Sequence, residues 1–184
     1  LQGENNKVDF NAEPRSQPTL ANLSVIGMHY DLDGETGVLI RRGSGIKLYD
    51  SLIIGFNDAC LDIDDEATFA HAYSGGAATG NVQFESVYMS CSSYFKDDAG
   101  ESLDIDELFN NSGWDNVLGT SWLGVLWSPY NILNPDFAPG AASPLEDMTP
   151  VGSHSDPFFT NTDFIGAVGP EDDWSSGWST TVEN

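Results

Sequence analysis

A short segment that recurs three times in the first half of the chain constrains the fold more than any other feature. The copies span residues 21–27, 49–55 and 84–90, at offsets of 28 and 35 residues, and each ends in larger apolar residues followed by a small one. A second series, residues 37–40 and 59–63, falls between copies of the first. Two alternating series of strand-length segments are typical of stacked coils, in which each strand pairs in parallel with its counterpart one coil away. We therefore predict an all-β solenoid, with a β-sandwich as the alternative.

The other segments are expected to flank or interrupt the coils of a single domain. Residues 1–18 are polar and contain two prolines, which predicts an irregular lead-in to coils over 19–127. A helical insertion is predicted near 97–112, where early acids are followed by apolar residues at helical spacing and then by a glycine. The segment 122–127 has the composition of a compact apolar strand. Residues 128–184 predict a coil that wraps the end of the solenoid and a C-terminal cap.

The charge balance excludes some classes of partner. The chain has 29 acidic residues against 6 basic ones, and its net charge is −23. Such a surface repels nucleic acid and anionic lipid and attracts divalent cations. No run of about 18 apolar residues occurs, so no membrane span is predicted. The chain begins at Leu1, which predicts a processed end or the start of a fragment.

Two cysteines bear on the compartment. Cys60 and Cys91 permit one disulfide if the protein resides in an oxidising environment. The alternative is a pair of buried free thiols. The secreted character of the rest of the chain favours the disulfide.

Acidic segments are the candidate binding sites. Ca²⁺ takes six to eight oxygen ligands, which Asp, Glu and turn carbonyls supply. The candidate ligands are Asp31, Asp33 and Glu35 in one segment and Asp62, Asp64, Asp65 and Glu66 in another. A third acidic run spans residues 97–107. Asp62 and Asp64 alternate with Leu61 and Ile63, so we expect both acids on an outward strand face. Ca²⁺ is therefore the expected cofactor, and a solvated acidic face is the alternative.

The C-terminal third carries the most specific motifs. They are "NPDFAPGAASPL" at 134–145, "DPFFTNTDFIGAV" at 156–168 and "DDWSSGWS" at 172–179. Their order resembles the closing segment of secreted or surface-attached bacterial right-handed β-helix proteins, and residues 37–64 resemble the coil that precedes it. The resemblance implies a right-handed parallel β-helix of the pectate-lyase-like fold, an extracellular or cell-surface location in bacteria, and upstream coils in a longer parent chain. It implies no activity, because most members of that family have none assigned.

No catalytic residue is assigned. Residues 62–65 have the composition of the clustered aspartates of polygalacturonases, but the Asn-x-Asp-Gly, Gly-His-Gly and Arg-x-Lys patterns of those enzymes are missing. Pectate lyases need Ca²⁺ and a basic residue, and Arg41-Arg42 is the only basic pair. Successive residues of a strand point to opposite faces, so pairing with nearby acids is the role expected for these arginines. The sequence favours a non-enzymatic role.

The predicted function is structural or adhesive. The end of the solenoid near the N-terminus has no obvious capping helix, so it is expected to meet upstream coils or another copy, and head-to-tail stacking that does not close gives a filament. Trp174 and Trp178 are expected to cover the last coil, with a sugar-stacking platform as the alternative. A polysaccharide-binding or polysaccharide-degrading protein is the competing function.

Overall fold

The computed structural model describes residues 1–28, 35–97, 102, 104–111, 113–151, 156–171 and 173–177. The strands in chain order are β1 (Gln2–Glu4), β2 (Thr19–Ala21), β3 (Ser24–Ile26), β4 (Val38–Arg41), β5 (Ile46–Ile54), β6 (Leu61–Ile63), β7 (Tyr73–Ser74), β8 (Ala77–Ala78), β9 (Val82–Ser90), β10 (Phe95–Lys96), β11 (Val117–Leu118), β12 (Leu126–Ser128) and β13 (Asp136–Pro139). The helices are α1 (Glu66–Ala72), α2 (Ile105–Phe109) and a 3-10 helix (Pro144–Asp147).

Two parallel sheets organise the first two thirds of the chain. Sheet A has the order β1-β4-β6-β10, and sheet B has the order β2-β5-β9-β11, with β3 also paired to β5. The chain visits the two sheets in alternation, and each pass adds its strand beside the strand of the previous pass. All of these pairs are parallel, which confirms the all-β, parallel prediction. The sandwich alternative does not fit, because β-sandwiches are built from antiparallel strands.

The strand register confirms the first predicted repeat offset and corrects the second. Ala21 pairs with Tyr49, which is the predicted offset of 28 residues. Tyr49 pairs with Glu85 rather than with Phe84, so the second offset is one residue longer than predicted. Phe84 instead pairs with Leu48, and both side chains are buried. A slip of one residue would have turned Phe84 outward, because strand side chains alternate between faces.

A bend in sheet B recurs at equivalent positions of three passes. Asn22, Asp50 and Ser86 have φ angles of 53°, 48° and 56°, in the left-handed region that Asn and Asp tolerate best among non-glycine residues. Before the bend in β5, buried and half-buried residues alternate, whereas every residue from Asp50 to Ile54 is buried. The bend therefore divides the long strands β5 and β9 into two halves. The half before the bend is buried on one face, and the half after it is buried on both faces.

Two apolar cores explain this pattern. The first core joins the inward faces of both sheets and includes Val38, Ile40, Ile46, Leu48, Leu61, Ile63, Val82 and Phe84. The second core lies on the other face of sheet B beyond the bend, where Leu52, Ile54 and Tyr88 pack against Val125, Leu126, Leu145, Met148 and Ile165. A strand that is buried on both faces has a continuous apolar sequence, as in "SLIIGF".

The second core is covered by a segment that we name the C-terminal strap, residues 162–167. The Asn22 amide donates to Thr162 Oγ1, Phe164 O and Gly166 O at 2.9, 3.1 and 3.2 Å. Gly166 N–H donates to Asp50 O at 2.7 Å. The strap includes the "FIGA" motif and is held by the bends of the first two passes.

Several local elements differ from the expectations. A strand, β1, lies within the segment predicted to be irregular. The helix α1 was not predicted at all, whereas α2 lies inside the predicted insertion. Residues 122–127 are mostly a turn rather than a strand, and only Leu126 and Trp127 enter β12, which pairs antiparallel with β13. None of the helices in the described ranges is long and apolar enough to cross a membrane.

Candidate functional site

The two cysteines form a disulfide. Cys60, just before β6, is joined to Cys91, just after β9, with a Cα–Cα distance of 5.5 Å. Cys60 is fully buried and Cys91 packs against the first core. The bond ties consecutive passes of the chain together, and it confirms the predicted pairing.

The acidic stretch after Cys60 is dispersed rather than gathered around one point. Asp65 caps α1, and its carboxylate accepts from Thr68 N and Thr68 Oγ1 at 3.0 Å each and from Arg42 N. Glu66 accepts from Ser102 Oγ at 3.1 Å. Asp64 follows the last residue of β6, and its N–H donates to Ile40 O of β4 at 2.8 Å. Asp65 and Glu66 therefore anchor separate local elements.

Asp62 lies on the outer face of sheet A, but it is covered. Its neighbours Leu61 and Ile63 belong to the first core, while Asp62 itself pairs in register with Leu39 and Lys96. Its exposed fraction is only 5%. Asp62 thus faces outward as expected, but its side chain is shielded from solvent because Lys96, on the next strand, lies across it.

A shallow cavity of about 350 Å³ opens over these residues. We name it the outer groove, and it is lined by Leu1, Gln2, Glu35, Thr36, Leu39, Asp58, Asp62 and Lys96. Lys96 Nζ lies 3.3 Å from Asp58 Oδ2 and 3.5 Å from Asp62 Oδ2. Thr36 Oγ1 donates to Asp58 Oδ2 at 3.2 Å. Four strands of the parallel stack and the turn before β6 thus meet in one polar depression.

The electrostatics of the outer groove fix the state of its lysine. A hydrogen bond to Asp58, together with the charges of Asp62 and Asp58, raises the pKa of Lys96 above its ordinary value. The ammonium is therefore charged at neutral pH and cannot accept a proton. It can donate hydrogen bonds, and the carboxylates beside it can accept them.

A second surface lies on the hairpin of β12 and β13. We name it the aromatic patch, and it comprises Trp122, Leu123, Trp127 and Tyr130. Leu123 and Trp127 are 69% and 58% exposed. Trp122 and Tyr130 meet edge to face with ring centroids 5.5 Å apart. Cavities of about 210 and 490 Å³ both border Leu123 and Trp127.

The comparisons with known proteins bear on this architecture. A family model described as a pectate-lyase-like beta helix domain matches residues 1–122. The chain belongs to this family. No curated protein and no solved structure matches it significantly. The family match covers every strand of sheets A and B, and it ends at Trp122, where the aromatic patch begins.

The remaining candidate metal ligands of the β-helix domain are also placed apart or lie outside the described residues. Asp31 and Asp33 lie outside them, whereas Glu35 lines the outer groove. No group of three or more His, Cys, Asp and Glu side chains in a metal-holding arrangement occurs among the described residues. In the third acidic run, burial and the charges of Asp104 and Asp106 raise the pKa of Asp97. Binding of Ca²⁺ stays a prediction.

The arginine pair of the β-helix domain has the predicted role but not the predicted geometry. Arg41 ends β4, and Arg42 has a φ angle of 60°, so the two do not form one extended strand. Both guanidinium groups reach the carboxylate of Glu4, with Arg41 Nη2 at 2.6 Å from Glu4 Oε1. This pairing with an acid anchors β1 to β4 and leaves neither arginine as a groove-lining base.

Of the two tryptophans predicted to cover the last coil, the structure describes Trp174. Trp174 is 54% exposed, and its Nε1–H donates to Ala167 O at 2.7 Å, against the strap. Trp178 lies outside the described residues. The covering of the last coil by these two side chains stays a prediction.

Sequence reasoning missed the two residue groups that the fold brings to the surface. Lys96 is 34 and 38 positions from Asp62 and Asp58, and only the strand register brings the three together. Trp127 was counted as part of an apolar strand. The only sequence signal is the position of Trp127 directly before a Ser-Pro turn, since the sequence does not show that Leu126 is buried and Trp127 exposed.

Proposed function

We propose that this β-helix domain is an extracellular, non-enzymatic module of bacterial origin that adheres to polysaccharide. The observation that carries the proposal is the outer groove, an open depression on the parallel stack in which a charged lysine pairs with two carboxylates. Such groups exchange hydrogen bonds with sugar hydroxyls. The family, described by its likeness to a polysaccharide lyase, supports the class of ligand.

The same groove supports binding rather than cleavage. A lysine must be neutral to abstract a proton as the base of a lyase, and the raised pKa of Lys96 keeps its amine protonated. A hydrolase needs room between two carboxyl groups for water or the glycosidic oxygen. Here the ammonium of Lys96 lies within ion-pair distance of both Asp58 and Asp62. The disulfide supports an oxidising, extracellular compartment.

The test compares the wild type with Lys96→Met on a panel of insoluble polysaccharides. We expect the wild type to be depleted by at least one of them, and Lys96→Met to bind about tenfold more weakly, because charge-assisted hydrogen bonds contribute about 1.5–3 kcal/mol. Lys47→Met is the matched control, since it removes the same charge from a half-buried position on strand β5 of sheet B. Equal binding by all three proteins would rule out the outer groove as the contact.

Three finer features remain proposals. We infer that the two sheets belong to a closed right-handed solenoid, which the alternating passes and the family support. Stabilisation by Ca²⁺ is supported by the charge balance of 29 acids to 6 bases. Head-to-tail assembly with another copy, or stacking on upstream coils of a longer chain, is supported by the parallel stack, whose outermost strands can pair with further strands.

A further inference from the structure

The aromatic patch is held in place from below. Leu126 is buried in the second core, so the next residue, Trp127, points away from it. Tyr130 Oη donates to Gly27 O at 2.8 Å, which fixes the turn after β12 to the end of β3. The edge-to-face contact of Tyr130 with Trp122 adds a second constraint. The exposed indole of Trp127 thus stands on a braced hairpin rather than on a free loop.

The lining of the patch contains no charged side chain, although the chain carries 29 acids. None of the residues that line the two cavities beside Trp127 is an Asp, Glu, Lys or Arg. A net charge of −23 repels anionic ligands from the whole surface, and this patch offers no countercharge to hold one. A cationic ligand would be drawn to the acids elsewhere. The electrostatics therefore select a neutral ligand.

The shape of the patch suits a flat ring. Gly140, Ala141 and Ala142 border the larger cavity with little side-chain bulk, which leaves one approach to Trp127 open. Ser128 and Asn131 border the smaller cavity and supply hydroxyl and amide groups. An apolar platform with a few polar groups at its margin is the usual composition of a small-molecule site.

We propose that the aromatic patch binds a neutral polysaccharide, with the C–H face of a sugar ring packed on the indole of Trp127. Pyranose rings present C–H groups to one face and hydroxyl groups at their rim, which matches an aromatic ring flanked by polar groups. The proposal rests on the adhesive function proposed above and adds a second contact surface to it. It specifies that the polysaccharide bound by this chain is neutral rather than anionic.

The test uses the full chain and two classes of soluble probe, with tryptophan fluorescence and calorimetry as readouts. The neutral probes are cellohexaose and hexamers from xylan and mannan, and the anionic probe is a galacturonate hexamer. We expect cellohexaose or another neutral hexamer from xylan or mannan to bind, with Trp127→Ala about tenfold weaker. Trp127→Phe should retain part of the affinity, and Phe158→Ala, which removes a ring that is 85% exposed elsewhere, should retain all of it. Raising NaCl from about 50 to about 500 mM should leave binding of the neutral probe unchanged.

The failures of the two proposals are distinguishable. If neutral polysaccharide binds equally well to the wild type and Trp127→Ala, the patch proposal is overturned and the adhesive function stands. If the galacturonate hexamer binds and no neutral probe does, the ligand class is wrong. If no polysaccharide binds at all, both proposals fall. Loss of self-association in Trp127→Ala, measured by light scattering in the absence of sugar, would identify the patch as an interface between copies instead.

Discussion

The carboxylate of Asp50 accepts a hydrogen bond at 2.7 Å from the backbone N–H of Val151, a residue 101 positions further along the chain. Asp50 is at the left-handed bend of β5 and is 1% exposed. At the equivalent position of the next pass, Ser86 Oγ donates to Thr149 O at 2.6 Å. The bends of sheet B are thus the anchor points of the C-terminal third.

Asp50→Ala should therefore lower the free energy of unfolding by about 1–3 kcal/mol, because it leaves the partly buried N–H of Val151 without its acceptor. It also places alanine at a left-handed φ, which adds strain. Asp50→Asn is the control, since asparagine tolerates this φ and keeps an acceptor oxygen. Urea unfolding measures both variants, and an Asp50→Ala protein as stable as Asp50→Asn would contradict the anchoring role.

The strap makes a separate prediction at Gly166, whose φ angle is 93°. A Cβ at this position would lie 2.4 Å from Leu52 Cδ2 and 3.0 Å from Ser24 Oγ. Gly166→Ala should cost about 2–4 kcal/mol, from overpacking added to backbone strain. Gly177→Ala is the matched control, because Gly177 has a similar φ of 83° and nothing within 4 Å of its Cβ position. Equal losses for the two variants in thermal unfolding would show that the strap does not pack as described.

The disulfide closes a loop across a sequence separation of 31 residues. Cross-linking a loop of this length restricts the unfolded chain and contributes about 2–4 kcal/mol. We expect Cys60→Ser with Cys91→Ser to unfold at a correspondingly lower urea concentration, and the wild type in reducing agent to match the double variant. If the wild type, reduced while unfolded, still unfolded at the same urea concentration as the oxidised protein, the disulfide would not stabilise the fold.

The ion pairs of Glu4 predict a dependence on pH. Its hydrogen bond to Arg41 and the charges of Arg41 and Arg42 outweigh desolvation and lower the pKa of Glu4. A lowered folded-state pKa gives stability that is complete above the unfolded pKa and is lost as pH falls through the folded value. Glu4→Gln should be less stable than the wild type at pH 7, with the difference shrinking to zero in strong acid. A difference that is constant across this range, measured by urea unfolding, would exclude the ionic contribution.

Binding of Ca²⁺ by the acidic residues predicts a change in thermal stability. If the acids hold Ca²⁺, a concentration of about 100 times Kd stabilises the fold by about 2.7 kcal/mol, which raises the melting temperature visibly. Thermal unfolding in EDTA, in Mg²⁺ and in Ca²⁺ distinguishes a specific site from general screening. Light scattering on the same samples tests head-to-tail assembly. Identical melting and particle size in all three solutions would mean that the acids are a solvated surface.

Part of this fold could be predicted from local sequence, because strand-length apolar segments recur at offsets that stacked passes require. The first offset was right, and the second was wrong by one residue. The intervening segment contains α1 and the β7–β8 hairpin, whose lengths no repeat constrains. The helix was missed because Asp65 and Glu66 were read as candidate Ca²⁺ ligands, although an Asp at the N-cap followed by an acid in the first turn is a signal for the start of a helix.

The surfaces could not be predicted in the same way. Asp62 looked solvent-facing because strand alternation gives the face but not what covers it, and Lys96 covers it from a strand that is distant in sequence. The continuous apolar run "SLIIGF" did carry a signal of burial on both faces. The second face is covered by the strap and by the hairpin that presents Trp127. Their positions depend on contacts between residues more than 100 positions apart in the sequence.

The most direct test of the account is to incubate the protein with insoluble polysaccharides and to measure, in the same tubes, the bound fraction and the soluble sugar released over time. The account predicts depletion of the protein by a neutral polysaccharide with no reducing or unsaturated product above the level without protein. Product that accumulates steadily, and that Asp58→Asn or Asp62→Asn abolishes, would contradict it and make the outer groove an active site.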